Sequence, residues 1–248
     1  MDASICVIPP DEGHLGLGEY RRFLYDANQY MPASREPVLS TDPIQFQFDG
    51  DENAALTIVL AHGAGAAMDS PFMNEMASEL AKSGLRVARF EFPYMAKRRT
   101  EGKKRGPDRA PVLIEYYGEV VRALGGPEKL IIGGKSMGGR IASMVADDLG
   151  VAGLVCLGYP FHPPGKPENL RTEHLKTLKT PGLICHGTRD PFGSPDEIAG
   201  YGLSDRIGLH WVEDGEHDFK PRKSFGRTQS RNIADAAAAI SRFAKMLG

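Results

Sequence analysis

Cysteine is scarce in this chain: three residues in 248, Cys6, Cys156 and Cys185, at neither metal-like nor paired spacing. That spacing offers no disulfide framework and no zinc-binding cysteine pattern. Cys156 and Cys185, inside apolar runs, read as reduced, buried thiols. A dominant charge sign is also lacking, since 30 Lys and Arg stand against 32 Asp and Glu, a formal net charge of −2. Composition therefore forces neither nucleic acid nor a membrane as partner, and no basic surface pattern interleaved with aromatics supports nucleic-acid binding. No apolar stretch is long enough to span a bilayer. The N-terminus, with Asp2 and no basic-then-apolar pattern, does not read as a signal peptide, so a cytoplasmic, reduced setting is expected. There is no internal repeat, no metal-ligand cluster and no dinucleotide fingerprint, and Gly134-Lys135-Ser136 lacks the glycine five positions earlier that a phosphate loop carries. No cofactor or metal is expected.

What is present fits one α/β domain, large enough to bury its own core. Residues 1–42, rich in Pro, Gly and charge, read as an irregular segment, and residues 43–248 as the domain. Ile44 to Phe48 alternates like a half-exposed edge strand, and Leu56 to Ala61 reads as a buried strand. Ser70-Pro71 opens a helix with core stripe Phe72, Met76 and Leu80, closed by Lys82-Ser83-Gly84. Leu85 to Phe92 is the next strand, and a helix runs from about Val112 to Leu124. Leu130-Ile131-Ile132 then leads into a helix that buries Ile141, Met144, Val145 and Leu149. Gly153 to Leu157, Gly182 to Gly187 and Ile207 to Val212 are further strands, and Ile233, Ala236, Ile240, Phe243 and Leu247 line a final amphipathic helix. The alternation implies a mainly parallel central sheet with helices on both faces.

Chemistry concentrates in Gly134-Lys135-Ser136-Met137-Gly138-Gly139-Arg140. This is the G-x-S-x-G pattern of a nucleophile elbow, in which a strand ends, the chain turns sharply and a helix begins, leaving Ser136 exposed at the tip. Gly134 and Gly138 avoid collisions across so tight a turn. A serine nucleophile needs a base, and the base needs a carboxylate to hold its tautomer. In chain order the acid comes first and the histidine second. Asp190 and His217 each lie just past a strand, at the edge where a parallel sheet presents its ligand site. They are assigned as orienting acid and base. Asp214 and Asp218 are also near His217, but Asp218 adjoins it and is poorly placed to fold back onto the ring. His186 precedes the acid and reads as a strand-end residue.

Upstream, His62-Gly63-Ala64-Gly65-Ala66 follows the first buried strand and resembles the HG-type loop that supplies one oxyanion donor. By that match the oxyanion hole is formed by the Ala64 and Met137 N–H groups. His62 either holds this loop or touches substrate.

The chain resembles an α/β-hydrolase of the small dienelactone-hydrolase-like branch, with a minimal or absent cap domain. More narrowly it is similar to the family of the testis-expressed and NSL-complex-subunit hydrolase-like proteins. Leu60-Ala61-His62-Gly63-Ala64-Gly65, Met68-Asp69-Ser70-Pro71-Phe72-Met73 and Gly134 to Arg140 carry that similarity, over roughly residues 44–247. Dienelactone hydrolases use a cysteine nucleophile where this chain has Ser136, so their substrate is not implied. Some members of the narrower family are chromatin-complex subunits, which keeps a non-catalytic interaction role as the alternative class.

The resulting expectation is a serine hydrolase of carboxylesterase or thioesterase type acting on a small-molecule acyl substrate, with a peptidase or acyltransferase on the same triad as rival. The basic segment Ala96 to Arg109, with Lys97, Arg98, Arg99, Lys103, Lys104, Arg105 and Arg109 against Glu101 and Asp108, is either a solvated loop or an attractor of anionic acyl groups or coenzyme A. Tyr159 to Thr172 is either a surface connection or a short lid, and Phe161 and Phe192 are candidate pocket walls with His62. The oligomeric state has no sequence signal.

Overall fold

A computed structural model describes residues 5–7 and 43–248. The irregular segment expected over residues 1–42 falls outside the described residues, except for a strand at Ile5–Val7 (β1). Seven more strands follow: β2 Gln45–Asp49, β3 Thr57–Ala61, β4 Arg86–Phe90, β5 Leu130–Lys135, β6 Gly153–Leu157, β7 Gly182–Gly187 and β8 Ile207–Val212. The helices are α1 Pro71–Lys82, α2 Pro93–Glu101, α3 Ala110–Leu124, α4 Met137–Leu149, α5 Pro195–Ala199 and α6 Gln229–Leu247. The strands form one sheet of order β1-β2-β4-β3-β5-β6-β7-β8, antiparallel at β1/β2 and β2/β4 and parallel elsewhere. Gln45–Asp49 is thus not the edge strand its alternation suggested, because Ile5–Val7 pairs along its outer side.

Period-2 alternation divides the strand side chains between two cores. Val59, Ile132, Leu154 and Cys156 face α3 and α4, while Ile58, Leu60, Ile131 and Val155 face α1 and α6. On α1 the buried stripe is Met73, Met76, Ala77 and Leu80, with Phe72 only half-buried. Each fully buried side chain of this size contributes about 1.5–3 kcal/mol. Cys156 and Cys185 are free and fully buried, which pushes both thiols up, Cys185 to about 12.

The segment after β4 departs from expectation. The strand stops at Phe90, and α2 occupies Pro93–Glu101 where a loop was foreseen. Pro93 at its start and Gly102 in the left-handed conformation (φ 66°) at its end bound it, the usual asymmetry of helix termini. Its outward face is strongly basic, which hid the helix in a sequence reading based on apolar period.

From β3 the chain passes to β4 on one side and returns to β5 on the other. The loops after β3 and β5 therefore diverge and open a crevice at the C-terminal strand ends. The connection from β6 to β7, residues 158–181, holds no element longer than the 3-10 turn Glu173–Lys176. No cap domain covers the crevice from that side. Among the described residues no helix is long and apolar enough to cross a membrane.

Candidate active site

The elbow is built by backbone proximity. Ser136 has φ 52° and ψ −114°, a conformation that a non-glycine residue holds only when its surroundings impose it. Its N–H donates to Leu157 O at 2.9 Å. A side-chain carbon at Gly138 would lie 2.6 Å from Ala61 O and 2.7 Å from His62 O, so only glycine lets the first turn of α4 seat against the end of β3. Ser136 is half-buried.

His217 and Asp190 meet: His217 Nδ1 donates to Asp190 Oδ2 at 2.8 Å. The carboxylate is fully buried and the imidazole one-fifth exposed. Burial alone would raise the Asp190 carboxyl, but the hydrogen bond from His217, the neighbouring His186 and the Phe192 N–H together hold it below its ordinary value. Gly158 (φ 65°) makes room for the pair, since a side chain there would stand 2.9 Å from His217 O and 3.2 Å from Nδ1. The other acids are engaged elsewhere. Asp214 accepts from Arg222 N–H and Nε, both at 2.7 Å, and Asp218 pairs with Lys135 at 3.1 Å. His186 Nε2 donates to Gly193 O at 2.9 Å, and burial lowers its pKa.

The loop that carries His217 is itself strained. Phe219 has φ 63°, disfavoured for a bulky residue. Its N–H donates to Glu216 O at 2.8 Å, its carbonyl accepts from Asn232 Nδ2 at 2.8 Å, and its ring packs on Phe72.

The loop after β3 reaches Ser136: a side-chain carbon at Gly63 would stand 3.8 Å from Ser136 Cβ. Its carbonyls are tied back. Tyr94 OH donates toward Gly63 O and Ala64 O at 3.3 and 3.0 Å. His62 is fully buried and uses both nitrogens, accepting from Phe92 N–H at 3.1 Å through Nε2. Nδ1 therefore carries the proton and donates to Gly63 O at 2.6 Å. Burial lowers the His62 pKa, which favours this neutral tautomer. With the carbonyls held, the Ala64 N–H bonds to no other backbone group among the described residues. Met137, the first residue of α4, has no helical acceptor for its N–H.

A partly buried ion network, with Glu91 and Arg89 inside and Arg99 and Asp69 at the surface, flanks this loop. Arg99 bridges Glu91 at 2.6 Å and Asp69 at 2.9 Å, while Arg89 binds Asp49, Asn74 Oδ1 and Met68 O. Phe192 lies over His217, with ring centroids 4.3 Å apart. Phe161 is fully buried against Tyr159 and His186, so neither it nor His62 presents surface to a ligand here. Sequence reading missed Tyr94, Gly158 and the Lys135–Asp218 pair. For Tyr94, the helix signals at Pro93 and Gly102 were the available clue. Among the described residues no three His, Cys, Asp or Glu side chains are grouped to hold a metal ion.

Solved structures share this architecture. Dienelactone hydrolase from Anabaena variabilis aligns with a TM-score of 0.63 at 19% identity, over 85% of this chain and 94% of that one. An α/β serine hydrolase without a lid from Xanthomonas campestris aligns at 0.58 and 19%, over 82% and 91%. A monoacylglycerol lipase from Paleococcus ferrophilus aligns at 0.62 and 14%, over 83% and 99%. At these identities the likeness is one of fold. The profile of the alpha/beta hydrolase domain matches residues 54–245, and the chain belongs to that family.

Proposed function

We propose that this protein is a serine hydrolase acting on ester-like bonds, of carboxylesterase or thioesterase type. Ser136 is the nucleophile, His217 the general base and Asp190 its orienting acid. The carrying observation is the 2.8 Å bond from His217 Nδ1 to a fully buried Asp190, at the strand-end crevice that holds the strained Ser136. That bond fixes the proton on Nδ1 and leaves Nε2 free to accept.

In the first half-reaction His217 takes the Ser136 proton as Oγ attacks the carbonyl carbon. The tetrahedral oxyanion is held by the Ala64 and Met137 N–H groups, each such donor contributing about 3–4 kcal/mol. His217 then protonates the leaving group, and water activated by the same ring releases the acyl-enzyme. Phe192 forms an apolar wall beside His217. The β6–β7 connection holds no more than one 3-10 turn and leaves the site open, suited to small or extended acyl substrates. The narrower similarity to the testis-expressed and NSL-complex-subunit proteins rests on the sequence motifs and belongs to this proposal.

Labelling with a fluorophosphonate, read by intact mass on wild type and Ser136→Ala, tests the reading. One adduct on wild type and none on the variant is expected. No adduct on folded wild type would overturn it and favour a binding role.

A further inference from the structure

Two arginines beside the nucleophile have no counter-charge. Among the described residues, the Arg140 and Arg171 guanidinium groups have no hydrogen-bond or ion-pair partner, and Arg140 Nε is sealed from solvent with no acceptor. A buried cationic donor left unpaired is costly. Their proximity adds to that cost: burial chiefly, and the Arg140 charge after it, lower the Arg171 pKa.

Their place in the fold relates them to Ser136. Arg140 lies one helical turn beyond it and donates its N–H to Ser136 O at 3.0 Å. Four residues rise only about 6 Å, and helix side chains lean toward the N-terminus, so the guanidinium is directed back to the level of the nucleophile. The segment 171–180 runs alongside α4 in the same direction. Ser143 Oγ meets His174 Nε2 at 2.8 Å, and further along, Asp147 accepts the Lys179 and Thr180 N–H groups. This register sets Arg171 at the nucleophile end. Arg171 N–H donates to Phe161 O at 2.8 Å, and the next residue, His162, donates to Phe192 O, whose ring covers His217. The Tyr159 hydroxyl, which donates to Arg171 O at 2.8 Å, steadies the same corner.

We propose that Arg140 and Arg171 form an anion-binding subsite next to Ser136 that selects acyl groups ending in a carboxylate or phosphate. It rests on the acyl-transfer reading above and adds a substrate class to it. A carboxylate or phosphate offers paired oxygens that match a guanidinium fork and supplies the counter-charge the two arginines lack.

The test compares p-nitrophenyl pentanoate with mono-p-nitrophenyl glutarate and p-nitrophenyl 4-phosphonobutyrate, on wild type, Arg140→Met and Arg171→Met. Wild type is expected to favour an anionic ester in kcat/KM by about tenfold to hundredfold, the range of a charge-assisted hydrogen bond. Each variant should lose that preference through KM while retaining neutral-ester turnover. The anionic ester that gains more identifies the group as carboxylate or phosphate. Equal turnover of neutral and anionic esters by wild type, or a preference that survives both substitutions, overturns the subsite. Fluorophosphonate labelling of Ser136 reports separately on the hydrolase reading. Should turnover be absent, melting temperature with added glutarate or inorganic phosphate decides. A rise in wild type but not in the variants supports the subsite, and equal responses overturn it. Arg171→Lys provides a milder variant if a Met substitution fails to fold.

Discussion

Lys135 Nζ lies 3.1 Å from Asp218 Oδ1, joining the residue before Ser136 to the residue after His217. The lysine side chain is only 8% exposed while Asp218 is 59% exposed, so the pair has one buried end and one end screened by solvent. Burial lowers the ammonium pKa against the pull of Asp218, Asp190 and Glu216. The pair acts as a strut between two strained segments, Ser136 with φ 52° and the turn at Phe219 with φ 63°. Lys135→Met and Asp218→Asn are each expected to lower kcat about tenfold, or ~1.4 kcal/mol in the barrier, with KM little changed. The double variant should be no worse than either single one. Ester kinetics on the four proteins measure this, and additive losses would show that the two residues act independently.

The acid assignment separates two buried carboxylates. Asp190→Asn is expected to reduce kcat by about 10⁴, because the amide can hold His217 in the wrong tautomer. Asp214→Asn should leave kcat nearly unchanged yet lower the unfolding midpoint, since the Asp214 carboxylate serves Arg222 and, at 3.4 Å, Arg189 rather than His217. Kinetics and urea unfolding on both variants give the comparison. The opposite pattern would reassign the acid.

Much of this arrangement was legible because local signals coincide with it. The apolar run Leu130-Ile131-Ile132, two flanking glycines and the following amphipathic helix mark the elbow without tertiary information. The strand ends before Asp190 and His217 were equally readable. Helix α2 was not, because its outward face is charged and only Tyr94 and Met95 are buried. Nor was the inner position of Gln45–Asp49, which depends on a partner strand about forty residues earlier. Lys135–Asp218 joins distant segments, Arg140 and Arg171 come together from distant segments, and no spacing rule links such residues. Phe161 and His62 show a further limit: an apolar or aromatic residue near a strand end can face the core as readily as the ligand.

Stability should fall with mild acid. Burial and the nearby Arg140 charge lower His174 to about 4 from 6.5. Between those values the unfolded chain holds a proton that the folded chain refuses. The contribution is therefore complete above about pH 6.5 and is lost as pH falls toward about 4, with no further loss below both values. His62 and His186, also lowered by burial, act in the same sense. Urea midpoints at several pH values for wild type and His174→Gln check this. Wild type should lose more stability between pH 7 and pH 4.5, and equal losses would refute the role of His174.

Tyr117 carries a prediction about how the sheet supports the elbow. Its hydroxyl is buried beneath β3 and β5, donates toward Gly133 O at 2.7 Å and Val59 O at 3.1 Å, and accepts from Gly133 N–H at 3.0 Å. Gly133 stands three residues before Ser136, and a side chain there would collide with Val155 O. The phenol therefore adds a hydroxyl partner to backbone groups inside the β3/β5 ladder, whose register runs unbroken from Thr57↔Leu130 to Ala61↔Gly134. Tyr117→Phe keeps the ring and its edge contact with Phe90, at 5.1 Å between centroids, but removes the hydroxyl bonded to the Gly133 N–H and to the Gly133 and Val59 carbonyls. The expected cost is about 0.5–1.5 kcal/mol in unfolding free energy, the net worth of a lost buried hydrogen bond. Faster amide exchange at Gly133 should accompany it, with exchange in α6 unchanged. Urea unfolding and hydrogen exchange measure both effects. A variant as stable as wild type would mean that water or a small shift of β3 replaces the hydroxyl.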